Sequence, residues 1–197
     1  MISQSVPPTT LLVVRHAQTI WNHARRYAGH REVPLSPDAS VQIRHLTRVL
    51  EAEKIGAIYS SPLTRAQLTI RPIAEILNIP LQIEEDLQER DLGSWEGKSA
   101  EELIARFPEF NFPDSAYDGE YPVPGAESLE ELEVRVRAVF ERIAEQHIGQ
   151  TVVISTHAGV IWALERKIAQ NSRHGMRWPE NSSLVRMQYA QKVFILS

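Results

Sequence analysis

Two short apolar runs, each delivering a histidine, limit what this chain can fold into. Leu11-Leu12-Val13-Val14 runs into Arg15-His16, and Thr151-Val152-Val153-Ile154 runs into Ser155-Thr156-His157. Unbroken β-type apolar runs of this length read as strands buried on both faces, as in parallel sheets packed between helices. A third run, Ile55 to Ser60, leads into Ser61-Pro62-Leu63-Thr64-Arg65. Three strands therefore deliver two histidines and two arginines just past their C-terminal ends. In open α/β sheets that edge is where ligands bind.

The rest of the chain alternates with these strands. Residues 1–9 read as a loose tail and 11–15 as the first strand. Residues 17–34 read as a short helix and a loop. Ser36-Pro37-Asp38 resembles a helix start, with Ser36 as N-cap and Pro37 in the first helical position; the core face of that helix is expected at Val41, Leu46, Val49 and Leu50. Ser61-Pro62 opens a further helix through residue 77, followed by a brief strand at 81–84, a loop at 86–98 and a short helix at 99–106. The segment 98–126 is expected to form a lid-like insertion, because Phe107, Phe110, Phe112, Tyr117 and Tyr121 favour burial. Ser128 and Glu131 have capping-box spacing ahead of a long helix. A helix over 158–169 and two short strands near 183–189 and 192–196 complete the chain. The expected fold is α/β, a single domain over 1–197 with a mostly parallel central sheet flanked by helices on both faces.

Bulk properties narrow the function. The 197 residues contain no cysteine, which excludes disulfides, thiol nucleophiles and thiolate metal sites. A formal charge of −4 disfavours non-specific nucleic-acid binding. No stretch approaches the roughly 18 apolar residues of a membrane span, and the N-terminal segment lacks signal-peptide character. A cytoplasmic protein without nucleic-acid or membrane partners is expected. One hydrophobic edge strand would suit a homodimer. No Gly-rich dinucleotide or phosphate loop is present.

Five motifs, in order, carry a family resemblance. They are Arg15-His16-Ala17-Gln18-Thr19 followed by Trp21-Asn22; Tyr59 to Ala66, containing Arg65; Leu87 to Gly97, containing Glu89; Gly125-Ala126-Glu127-Ser128; and Ser155-Thr156-His157-Ala158-Gly159. Tyr27, Gly29 and Pro34-Leu35-Ser36 fit between the first two. Together they resemble the histidine phosphatase superfamily, the phosphoglycerate mutase-like proteins, in its small phosphatase branch. The resemblance implies a phosphomonoester hydrolase acting on a small phosphorylated metabolite through a phosphohistidine intermediate, with no cofactor and no metal. By family position Glu89 is the general acid and then the base, Asn22 contacts phosphate, and Gln18 and Thr19 line the pocket.

The chemistry of the residues agrees with that assignment. Arginines stay charged and offer planar, paired donors to phosphate oxygens, which suits Arg15 and Arg65. Arg65 also falls in a first helical turn, where free N–H groups favour anions. A histidine among such cations resists protonation, so His16 is the expected nucleophile. His157 is expected to donate to the transferring group. A metal hydrolase is the first rival, but no His-x-x-x-His or Glu-x-x-His spacing occurs, and the arginines would repel a cation. Within the family, a cofactor-dependent phosphoglycerate mutase would call for a tyrosine where Leu92 stands and for more bases than Lys98 and Arg106 after it. A phosphoester-binding relative without turnover is the remaining alternative. His23, His30, His45, His147 and His174 carry no partner signature and are assigned to structure or surface.

Overall fold

In the computed structural model, residues 6–107, 123–168 and 178–196 are described. They form a six-stranded sheet in the order β3-β2-β4-β1-β5-β6. The strands are β1 (Thr9–Arg15), β2 (Ile55–Ser60), β3 (Leu81–Ile83), β4 (Thr151–Thr156), β5 (Leu184–Ala190) and β6 (Val193–Leu196). β1, β2, β3 and β4 run parallel, whereas β5 and β6 are antiparallel additions at one edge. The expected mostly parallel α/β sheet is what is found.

The two-residue period of a strand explains the two cores. Leu11, Val13, Ala57, Tyr59, Val152 and Ile154 point to one face. There they pack with helices α5 (Leu129–Gln146) and α6 (Ala158–Ile168) through Leu132, Val136, Phe140 and Ile161. Leu12, Val14, Ile58 and Val153 point to the other, against Leu46 and Leu50 of α2 (Ala39–Glu51) and Ile70 and Ile73 of α3 (Thr64–Leu77). Residues buried on both faces leave no polar alternation, hence the continuous apolar runs in the sequence. A third, smaller cluster of Leu92, Trp95, Leu103 and Val123 lies under the loop after β3. Two short helices, α1 (Ile20–His23) and α4 (Ala100–Arg106), lie in the connections after β1 and β3. Among the described residues no helix is long and apolar enough to cross a membrane.

Several boundaries differ from expectation, each for a local reason. Thr9 belongs to β1 rather than to the tail, because its hydroxyl donates to the Ala144 and His147 carbonyls. α2 begins at Ala39, and Ser36 does not cap it: the Ser36 hydroxyl donates to Gln18 Oε1 instead. Val41 and Val49 are exposed, not core. The buried stripe of α2 passes through Ala39, Leu46, Thr47 and Leu50, and a residue two places along a helix lies about 200° around it. α3 starts at Thr64, two residues after Pro62. The capping box at Ser128 forms as expected, and a second one forms at Ser99. Of the expected lid-like insertion, Pro108 to Pro122 lies outside the described residues, with Phe110, Phe112, Tyr117 and Tyr121; so do residues 1–5 of the tail and His174. Phe107 is described and packs against the third cluster.

Candidate active site

The parallel strands β1, β2 and β4 bring Arg15, His16, Ser61, Arg65 and His157 to one edge of the sheet, and the loop after β3 brings Glu89. His16 is 4% exposed, and its backbone N–H donates to the Thr156 carbonyl, fastening the end of β1 to the end of β4. His16 Nδ1 lies 2.7 Å from the Ala17 carbonyl oxygen. A carbonyl can only accept, so Nδ1 carries the hydrogen and Nε2 keeps a lone pair. Burial first, then the Arg65 and Arg15 guanidinium charges, hold the His16 pKa well below its ordinary value. The ring is neutral and its tautomer is set, two conditions for a nitrogen nucleophile.

His157 is fully buried, with its ring centroid 5.2 Å from that of His16. Its Nε2 is 2.8 Å from Ser61 Oγ, which also accepts the Leu63 N–H. The Ser61 hydroxyl thus engages one ring nitrogen and leaves Nδ1 as the other. That nitrogen is buried and has no protein partner among the described residues. In the Nδ1–H tautomer a buried group of this kind, inside a cluster of cations, suits a bound oxyanion. The His157 pKa is also held well below its ordinary value, by burial and then by Arg65.

The Arg65 guanidinium is 1% exposed and is oriented by the Arg31 and Gly29 carbonyls, which accept from Nη1 at 2.7 Å and Nη2 at 2.8 Å. Arg15 Nη1 donates to the Pro179 carbonyl at 2.6 Å. The Thr64 N–H at the start of α3 is taken by the Glu32 carboxylate, so that part of the helix terminus already has its anion. Glu89 is 5% exposed; its Oε1 accepts the Arg90 N–H and its Oε2 the Gly159 N–H at the start of α6. The Glu89 carboxylate thus bonds the backbone two residues past His157.

Asn22 Oδ1 accepts from Thr19 N, Thr19 Oγ1 and Asn181 Nδ2. Three donors on one atom identify it as the oxygen and turn the amide nitrogen the other way. Gln18 Oε1 accepts from Ser36, and the 1% exposed Thr19 caps α1 in a capping box with Asn22, which ties both residues into the loop after β1. Among the described residues no three His, Asp or Glu side chains converge as metal ligands.

Other members of the arrangement carry no motif of their own. Thr69 Oγ1 accepts the Ala17 N–H and donates to the Arg65 carbonyl. Asn181 Nδ2 donates to the His16 carbonyl. Arg135 of α5 donates to the Asp86 and Gln88 carbonyls and pairs with Glu127 at 2.7 Å, clamping the loop that carries Glu89. Ser61 falls inside the Tyr59 to Ala66 motif, whereas Asn181 is signalled only by its place shortly before β5.

The depressed histidine pKa values have a consequence for stability. Below the ordinary value of 6.5 the unfolded chain takes up protons that the folded chain does not. Stability is therefore fully present above about pH 6.5 and falls as pH drops, by up to roughly 1.4 kcal/mol per pH unit for each histidine, until the folded-state value is reached. Urea unfolding between about pH 5 and pH 7 should show this decline, and His16→Ala should make it shallower.

The family model described as the histidine phosphatase superfamily (branch 1) matches residues 11–197. Phosphoserine phosphatase 1 of Hydrogenobacter thermophilus is 36% identical over 149 residues, 75% of this chain and 70% of the relative. The metal-independent phosphoserine phosphatase of Arabidopsis thaliana is 35% identical over 170 residues, 85% of this chain and 71% of the relative. The solved structure of YhfR from Bacillus stearothermophilus superposes with a TM-score of 0.87 at 28% identity, over 96% of this chain and 95% of the other.

Proposed function

Because the chain belongs to the histidine phosphatase superfamily, branch 1, we propose that it hydrolyses the phosphomonoester of a small metabolite through a phosphohistidine on His16, without a metal. The observation that carries this is His16 itself: buried, neutral, and with its Nδ1 hydrogen committed to Ala17 while two guanidiniums stand beside it. The relatives named phosphoserine phosphatases support hydrolysis of a phosphoester, and one of them is named metal-independent.

The steps follow from the groups present. Arg15, Arg65, the Asn22 amide nitrogen and His157 Nδ1–H hold the dianion, so that catalysis is largely positioning and charge stabilisation. His16 Nε2 attacks phosphorus as the ester P–O bond breaks, and Glu89 gives its proton to the leaving oxygen. Glu89 then takes a proton from water. The resulting hydroxide forms the new P–O bond, the P–N bond breaks, and the electron pair returns to Nε2. The sum is ester plus water giving alcohol plus phosphate.

Hydrolysis is favoured over the mutase alternative by Leu92. It is fully buried in the cluster with Trp95, Leu103 and Val123, so the position where a mutase-like tyrosine would stand faces the core. The test is phosphate release from a panel of esters with and without EDTA, including p-nitrophenyl phosphate, phosphoserine, the phosphoglycerates, sugar phosphates and α-ribazole phosphate. EDTA-resistant release is expected. Interconversion of 3- and 2-phosphoglycerate in place of release would identify a mutase. Phosphate binding without turnover of any ester would identify a binding protein.

A further inference from the structure

Residues Gly29 to Arg31 touch both halves of the site at once. The Gly29 and Arg31 carbonyls orient the Arg65 guanidinium, as described above. Between them, the His30 side chain points the other way, with Nε2 2.7 Å from the Glu89 carbonyl oxygen. That oxygen can only accept, so Nε2 carries the hydrogen and donates it. The three-residue segment therefore joins the group placed to hold the phosphoryl oxygens to the backbone of the acid.

One carboxylate fixes this segment from beneath. Glu96 Oε1 accepts the His30 backbone N–H at 2.7 Å, and its Oε2 pairs with Arg31 Nε at 3.1 Å. The Glu96 side chain is 9% exposed. Gly29 has φ +50°, and a Cβ there would lie 2.1 Å from Glu96 Oε1, so the carboxylate occupies the space that a side chain would need. The backbone that Glu96 holds presents two carbonyls to Arg65 and a histidine to the Glu89 carbonyl.

We propose that Gly29-His30-Arg31, pinned by Glu96, is a strap that sets Arg65 and Glu89 in register, with His30 and Glu96 as positioning residues for the two halves of the reaction. This rests on the phosphatase reading above. A misplacement of about 1 Å in such a constellation can cost on the order of a hundredfold in rate, so a strap joining acid to anion holder is a direct determinant of turnover.

The two arms separate in experiment. Nitrophenolate leaves without a proton, whereas an alkoxide needs one. His30→Ala removes the nearer of two donors to the Glu89 carbonyl, the other being Arg135 Nη2 at 3.5 Å, and should lower kcat on phosphoserine by roughly tenfold or more, part of the 10²–10⁴ that a placed general acid contributes. On p-nitrophenyl phosphate the loss should be far smaller. His30→Gln, whose amide nitrogen stands close to the position of Nε2, should recover most of the phosphoserine rate. Glu96→Ala should raise KM for both esters and weaken binding of inorganic phosphate, read by calorimetry without turnover. Equal losses on both esters in His30→Ala, no recovery in His30→Gln, or unchanged phosphate affinity in Glu96→Ala would overturn the strap. Failure of the wild-type protein to release phosphate from any ester would instead overturn the phosphatase reading, while the phosphate-binding comparison would still test the link from Glu96 to Arg65.

Discussion

His16→Ala is expected to reduce phosphate release by at least about a thousandfold, on the scale seen when a covalent nucleophile is removed. The expectation comes from the absence of a substitute. His157, the other histidine at the strand ends, has its Nε2 taken up by Ser61, and in the proposed reaction its Nδ1 donates to the phosphoryl group rather than attacking it. Folding should survive, because the His16 backbone bonds to Thr156 and Asn181 do not depend on its ring. Removing a ring that burial and two arginines keep neutral also removes one of the groups that destabilise the fold in acid. The variant should thus be inactive, folded and less acid-sensitive. Phosphate release together with urea unfolding at two pH values checks all three.

Arg65→Ala is expected to lower kcat/KM by on the order of 10²–10³, the range for losing one group that stabilises developing transition-state charge. It should act in three ways. The phosphoryl oxygens lose a planar, doubly donating partner. The Gly29 and Arg31 carbonyls lose their donor, at about 1–3 kcal/mol of stability for buried groups left unsatisfied. The second-largest cause holding His16 neutral disappears, so the His16 pKa rises and the acid limb of the rate profile moves to higher pH. Arg65→Lys keeps a charge but not the fork that reaches both carbonyls, and should fall between the variant and the wild type. A pH–rate profile of the three proteins, combined with inhibition by inorganic phosphate, checks the order. An Arg65→Ala enzyme within a few-fold of wild type would contradict the assigned role.

Much of the frame was legible because strands buried on both faces write themselves as apolar runs. Leu11 to Val14 and Val152 to Ile154 could be placed without knowing what covers them. The capping box at Ser128 was legible because a short-range bond needs only a fixed spacing; the same spacing at Ser99 and Glu102 forms a second box that the reading passed over. The face of α2 was less so, since Val41 and Val49 are apolar but lie away from the stripe that meets the sheet. Ser36 looked like a cap until Gln18, 18 residues away, took its hydroxyl.

The candidate site divides along the same line. Arg15, His16, Arg65, Glu89 and His157 stand in motifs at strand ends and in one loop, and the fold brings them together. The groups that orient them do not announce themselves. His30 and Arg135 act on backbone carbonyls, which every residue has, so no pairing of residue types betrays the contact. Asn181 and Asn22 are 159 residues apart. Thr69 serves Ala17 across 52 residues. Such contacts exist only once the chain is folded.

In the proposed reaction the phosphoryl group passes to His16 before it passes to water. The most direct test is the stereochemical course of hydrolysis, using an ester made chiral at phosphorus with oxygen isotopes. Two successive in-line displacements, the first by His16 and the second by water, predict that configuration is retained. Inversion would mean a single direct transfer to water and would contradict the account.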